Sequence, residues 1–80
     1  MWYVYFLQLR NGDVYVGSTN DLRRRLESHQ KKRVPSTRAF CPVILRTYVA
    51  MEKEARARAL EIYFKSGSGK AFAKKRFLHD

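Results

Sequence analysis

From Trp2 to Arg10 aromatic and aliphatic residues follow one another with little polarity, and Val14 to Gly17 is a short β-branched run. Both predict β-strands. Asn11-Gly12 between them tolerates the positive φ of a tight reversal, so the strands are expected to form a hairpin. Ser18-Thr19-Asn20-Asp21 offers N-cap side chains for a helix over about Asp21 to Gln30. There Leu22, Arg25, Leu26 and His29 fall at i, i+3, i+4 and i+7, which predicts a stripe with two leucines toward the core and Arg25 and His29 along its edge. Lys31 to Phe40 is basic, polar and interrupted by Pro35, the composition of a surface loop near the substrate. A third strand is expected from Val43 to Val49 beside the hairpin, since Pro42 suits a strand's start and not its middle. Met51 to Lys65 has a helical alanine and charge pattern, with Glu61 roughly 40° from Ala57 and roughly 60° from Phe64, at the border of the buried face. Ser66-Gly67-Ser68-Gly69 reads as a break before a short basic helix over Lys70 to Leu78, anchored by Phe72 and Phe77. The expectation is α+β: a small, mostly antiparallel three-stranded sheet packed with about three helices, a single domain over residues 1–80.

Composition adds a partner to this picture. Seventeen Lys and Arg against seven Asp and Glu give a formal charge of +10, a field that on so small a body points to a polyanion. The bases cluster in Arg23-Arg24-Arg25, Lys31-Lys32-Arg33 and Lys74-Lys75-Arg76, interleaved with Tyr, Phe and His that can stack on bases. Nucleic acid is the expected partner, with Arg23, Lys31, Lys32, Arg33, Lys65 and Lys70 as candidate contacts. The single Cys41 excludes an intramolecular disulfide framework. The longest apolar run, Trp2 to Leu7, is far below the roughly 20 residues of a membrane span. A cytoplasmic, unexported monomer without membrane contact is therefore expected.

Candidate chemistry rests on Tyr5, Tyr15, Arg25, His29 and Glu61. An arginine for a phosphate, a glutamate for a metal ion and phenols or an imidazole for proton transfer are the parts of a metal-assisted phosphodiester hydrolase. Of the three consecutive arginines only Arg25 shares the leucine stripe, which turns its planar fork toward the sheet. Strand alternation sets a condition. A strict two-residue loop pairing Arg10 with Asp13 would send Tyr5 and Tyr15 to opposite faces, whereas a three-residue loop with a bulge puts them on one. Competing structural readings exist for each residue: a strand-core role for the tyrosines, an i,i+4 pair with Lys65 for Glu61, and a helix-dipole contact for His29. Asp21, Glu52 and Glu54 read as helix N-terminal acids, Asp13 as a turn residue and Asp80 as tail.

Tyr3-Val4-Tyr5, Tyr15-Val16-Gly17, Asn20 to Leu26 with His29, and Glu61-Ile62-Tyr63-Phe64-Lys65, in this order and spacing, resemble the GIY-YIG endonuclease family, in particular its small single-domain members. Three positions depart from the pattern. Tyr3 stands where the family name has glycine, and Ser18, expected to donate a hydrogen bond, stands where excinuclease C-type relatives often carry lysine. Ser66 to Gly69 lacks the asparagine that those relatives place beyond the metal glutamate. The resemblance implies cleavage of nucleic acid, DNA ahead of RNA, with one divalent cation, Mg²⁺ or Mn²⁺, held by Glu61. Arg25 would stabilise phosphoryl charge, Tyr15 would help deprotonate water with His29 relaying the proton, and Tyr5 would orient the phosphate or water. Tyr3 is expected to be structural, and Gly17 to let the backbone or substrate approach closely. Two alternatives stay open: a non-catalytic nucleic-acid-binding module on the same fold, and a small basic ribonucleoprotein component.

Overall fold

The structure, a computed structural model, describes residues 1–78, so Asp80 lies outside the described residues. Strand β1 (Trp2–Gln8) is central in a sheet of order β2-β1-β3, with β2 at Val14–Thr19 and β3 at Ile44–Met51, and both pairings are antiparallel. Its near-continuous apolar run is explained by burial on both faces. Val4 and Phe6 face one core, with Val16, Ala57, Phe64 and Ala73; Tyr5, Leu7 and Leu9 face the other, with Val43. Helix α1 (Leu22–Gln30) covers the second face through Leu22 and Leu26. Helices α2 (Glu54–Lys65) and α3 (Gly67–Arg76) cover the first, where the Phe6 ring meets Phe64 edge-on at 4.9 Å.

The hairpin takes the longer of the two loops considered. Leu7 opposes Tyr15 and Gln8 opposes Val14, and the Leu9 N–H donates to the Asp13 carbonyl at 2.8 Å. Three residues, 10–12, therefore turn the chain, and Tyr5, Leu7 and Tyr15 share one face. Gly12 alone supplies the positive φ, at 91°; Asn11 instead accepts the Asp13 N–H through Oδ1 at 3.0 Å. Opposite Tyr5 stands Gly17, where a Cβ would overlap the Tyr5 Oη and Cζ. The close approach expected at Gly17 is thus made by a tyrosine of the same sheet.

Several boundaries differ from the sequence reading: β1 stops at Gln8 and not at Arg10, β2 runs past Gly17 to Thr19, and α3 ends at Arg76 and not at Leu78. Pairing of Trp2 with Met51 extends β3 to that residue, so α2 begins at Glu54 with Lys53 as N-cap and not at Met51. Ser66 closes α2 and caps α3, its hydroxyl accepting the Gly69 N–H at 3.1 Å. The Ser-Gly stretch is therefore the first turn of α3, because a side-chain cap makes up for its poor helix propensity. Within the expected surface loop Val34 and Thr37 are buried, and Arg38–Phe40 forms a 3₁₀ turn. The buried Thr37 serves a residue expected at a helix edge: His29 is 0% exposed.

His29 ties three segments together. Its Nε2 shares a hydrogen bond with Tyr5 Oη at 2.9 Å and its Nδ1 one with Thr37 Oγ1 at 2.8 Å. Gln30 adds a clamp on the residue before β3, donating to the Val43 carbonyl at 2.8 Å and accepting its N–H at 3.3 Å. Burial, reinforced by the Arg25 charge, pushes the imidazole pKa from 6.5 down to about 4. The ring is neutral at pH 7 and acts as a hydrogen-bonded strut, not as a cation on the helix dipole.

Because the folded pKa lies below the unfolded one, the contribution is complete above pH 6.5 and is lost as pH falls toward 4. Unfolding free energy should fall by up to about 1.4 kcal/mol per pH unit across this window. In His29→Gln, less stable at pH 7, that slope should flatten, as read from denaturant midpoints between pH 7 and 5. Gly17→Ala should destabilise by about 1–3 kcal/mol. In a Tyr5→Ala background most of that penalty should disappear, a non-additivity measurable by thermal unfolding of the four-variant cycle.

Candidate functional site

Arg25 leaves the first turn of α1 above the Tyr5 hydroxyl. That turn is fixed by Asp21, whose carboxylate accepts the Arg24 N–H at 3.1 Å. Arg25 Nε donates to Tyr5 Oη at 3.4 Å, so this phenol faces a guanidinium on one side and His29 Nε2 on the other. Burial, only partly offset by the Arg25 hydrogen bond, raises the Tyr5 pKa, and the fields of Tyr15 and Glu61 push the same way. Tyr5 is therefore a protonated phenol at neutral pH. Hydrogen bonding to Tyr5 raises the already high Arg25 pKa against the opposing effect of burial, and the nearby Tyr15 acts in the same direction as Tyr5. Tyr15 is partly buried, its ring 6.4 Å from Tyr5 and 5.2 Å, edge-on, from His29.

Glu61 comes from the opposite layer. Ser18 opposes Val4 and so points to the α2 side of edge strand β2, where its hydroxyl donates to Glu61 Oε1. Lys65 donates to the other carboxylate oxygen at 2.8 Å, and its ammonium lies 5.8 Å from the centre of the Tyr15 ring. Burial raises the Glu61 pKa, but the hydrogen bonds from Lys65 and Ser18 outweigh it and hold the carboxyl below the ordinary carboxylate value. It is an anion at neutral pH, 18% exposed.

The five candidates thus form one connected set, running from Arg25 and His29 through Tyr5 and Tyr15 to Lys65 and Glu61. They do not share a single sheet face: the set straddles the β2 edge, because the Ala57 and Phe64 stripe of α2 buries into the other core. A proton relay from Tyr15 to His29 does not fit this geometry. Both imidazole nitrogens are engaged, by Tyr5 and Thr37, and the polar link to His29 belongs to Tyr5. Thr37 escaped the sequence reading since it sits in a basic loop with no periodicity to mark it as buried. Ser18 donates as expected, and the ammonium beside the carboxylate belongs to Lys65.

The candidate nucleic-acid contacts split into two groups. Arg23, Lys31, Lys32 and Arg33 are exposed on α1 and the turn after it, with Lys31 bonded to Glu27 at 2.6 Å. Lys65 and Lys70 line a cleft between the hairpin and α3, with Lys74, Tyr15 and an apolar floor of Phe6, Phe64 and Leu78. A second groove, lined by Thr19, Asn20, Asp21, Arg24, Arg25 and Ser28, opens beside the guanidinium. Among the described residues no three His, Cys, Asp or Glu side chains are grouped as metal ligands, and no helix is long and apolar enough to cross a membrane.

Known proteins resemble this chain in sequence and in fold. The chain is similar to a UPF0213 protein of Bacillus licheniformis, 38% identical over 69 residues, covering 85% of this chain and 71% of that protein. A UPF0213 protein of Streptococcus agalactiae is 36% identical over 70 residues, covering 86% of this chain and 80% of the relative. For a Streptococcus pneumoniae UPF0213 protein, 39% identical over 64 residues, the shares are 79% and 65%. The solution NMR structure of a UPF0213 protein from Bacillus halodurans superposes with a TM-score of 0.60 at 28% identity, over 96% of this chain and 87% of the other. The family described as the GIY-YIG catalytic domain matches residues 1–76, so the chain, with its three-stranded antiparallel sheet and three helices, belongs to the GIY-YIG nuclease family.

Proposed function

We propose that this chain is a metal-dependent endonuclease that hydrolyses phosphodiester bonds in nucleic acid, DNA ahead of RNA, as a cytoplasmic monomer. The observation that carries this reading is the hydrogen-bonded Arg25–Tyr5–His29 cluster set across edge strand β2 from the ionised Glu61. The charge of +10 supplies attraction for the polyanion.

Arg25 binds a phosphate oxygen and stabilises the charge that grows on the phosphoryl group. Tyr5, already hydrogen-bonded to Arg25 and held from behind by His29, orients that phosphate through the guanidinium or accepts a hydrogen bond from the water that attacks it. With Nδ1–H donated to Thr37, His29 Nε2 accepts a hydrogen bond from the Tyr5 hydroxyl, which turns the lone pairs of that oxygen toward Arg25. Tyr15, more open to solvent and beside the Lys65 ammonium, assists removal of the proton from water.

Glu61 fits a single divalent cation. Its carboxylate is ionised, and the Lys65 ammonium on Oε2 marks a place where positive charge is already favoured. Lys65 is 49% exposed and free to swing away. Mg²⁺ or Mn²⁺, which commonly takes one protein carboxylate and completes its shell with water and phosphate, would supply charge neutralisation near the leaving oxygen. The same Lys65–Glu61 pair favours the second reading, a non-catalytic binding module in which the carboxylate is permanently neutralised.

Cleavage of single-stranded and duplex DNA and of RNA by the purified chain, with and without Mg²⁺ or Mn²⁺, separates the two. Glu61→Ala should lower cation-dependent cleavage by at least about 100-fold, while affinity holds or rises because Lys65 is released to the substrate. Arg25→Ala should lose cleavage comparably with slightly reduced affinity. If Glu61→Ala cuts as well as wild type, the binding-module reading replaces the nuclease. Affinity should also fall steeply with salt, and Lys31→Ala with Lys32→Ala should reduce the slope of log K against log salt by about 1 to 2, as each lost phosphate contact removes about one released counterion. An unchanged slope would move the binding track to the Lys65, Lys70 and Lys74 cleft.

A further inference from the structure

On the face that carries Tyr5, the Trp2 end of the sheet holds a pair of aromatic rings that the proposed reaction does not use. Tyr3 and Tyr48 meet near-perpendicular at 73°, with centroids 5.7 Å apart. Tyr48 is 50% exposed and Tyr3 partly so. Strand register fixes their neighbours: Tyr5 is flanked by Gly17 and Tyr48, and Tyr3 by Thr19 and Ala50. Adjacent strands lie about 4.8 Å apart, so Tyr48 stands one strand away from the phenol that faces Arg25. The neighbours of Tyr3, Thr19 and Ala50, are small, and half of Tyr48 is open to solvent. Thr19, the cross-strand neighbour of Tyr3, also lines the groove that contains Arg24 and Arg25, so the aromatic pair and the cationic groove border one another at that residue.

We propose that Tyr3 and Tyr48 form a stacking platform for an unpaired base next to the phosphate held at Arg25, making the substrate strand single-stranded at that point. This rests on the nuclease reading for its phosphate site. The occupant follows from chemistry: a partly solvent-facing aromatic pair bordering a guanidinium-lined groove, on a chain of charge +10, suits a ligand that carries a flat π-face and a nearby anion. A nucleotide has both. In a duplex each base face is covered by its stacked neighbours, so a side chain reaches it only at the cost of unstacking, whereas a single strand offers the face freely. Tyr3, which stands where the family name has glycine, contributes half of the platform.

The test is binding of a fluorescent oligothymidylate, and of the same length of mixed-sequence duplex, by anisotropy in EDTA, so that no cleavage occurs. Wild type should bind the single strand more tightly than the duplex at equal salt. Tyr48→Ala and Tyr3→Ala should weaken single-strand binding by about 5- to 100-fold with duplex affinity and salt slope unchanged, and Tyr48→Phe should retain wild-type binding. Tyr48 is half exposed, and an unchanged denaturation midpoint confirms that its alanine variant is folded. Equal losses on both ligands, or no loss on either, would overturn the platform. The same variants with Mg²⁺ report on the reaction separately. Intact binding discrimination without any cleavage would keep the platform and remove the nuclease, whereas equal cleavage of both ligands, unaffected by Tyr48→Ala, would do the reverse.

Discussion

Helix α1, the loop after it and the sheet are joined by one buried imidazole. His29 gives one nitrogen to Tyr5 and the other to Thr37, and since neither nitrogen is left without a partner, its burial carries no large desolvation penalty as long as it stays neutral. The position of Arg25 depends on this. One turn earlier on the same helix, its guanidinium can meet the Tyr5 hydroxyl only while His29 holds the helix and the phenol in register. A charged imidazole would be an isolated buried cation beside Arg25, which is why its pKa is driven down.

The edge strand β2 is the second constraint. Chemistry on one face of a sheet would draw its groups from one helix layer; here a guanidinium and an imidazole come from α1 and a carboxylate from α2, on either side of a strand that pairs with no further strand among the described residues. Gly17, without a side chain, leaves the Tyr5 ring room beside β2, and Ser18, one residue on, reaches Glu61 from the other side. Alternation of a single strand thus serves both layers.

Charge is distributed unevenly over these layers. The Tyr5 phenol and the His29 imidazole are neutral, the carboxylate is ionised and held by Lys65, and the candidate nucleic-acid contacts form two separate exposed groups, one on α1 and the turn after it and one along the α3 cleft. A substrate that touched both groups would pass over the β2 edge, where Tyr5, Tyr15 and Glu61 come together. Under the proposed function, exposed bases would supply attraction and the groups between them would act on the phosphate.

Periodicity and turn chemistry, which are local, made the elements legible from sequence: the strands, the helix capped by Asp21, the α2 stripe of Ala57 and Phe64, and the spacing of Tyr5, Tyr15, Arg25, His29 and Glu61 that places the chain in its family. Local rules failed where a partner is distant in sequence. The loop length that puts Tyr5 and Tyr15 on one face is decided by which residues pair across the sheet, and the end of β3 by the reach of β1. Ser66 to Gly69 is helical because of a cap and the packing of α3, against its propensity. Above all, the burial of His29, its preference for Tyr5 over Tyr15 and the role of Thr37 follow from three segments meeting in space. No pattern along a single segment encodes such a meeting, and only the tertiary structure decides which hydrogen bonds a buried ring will make.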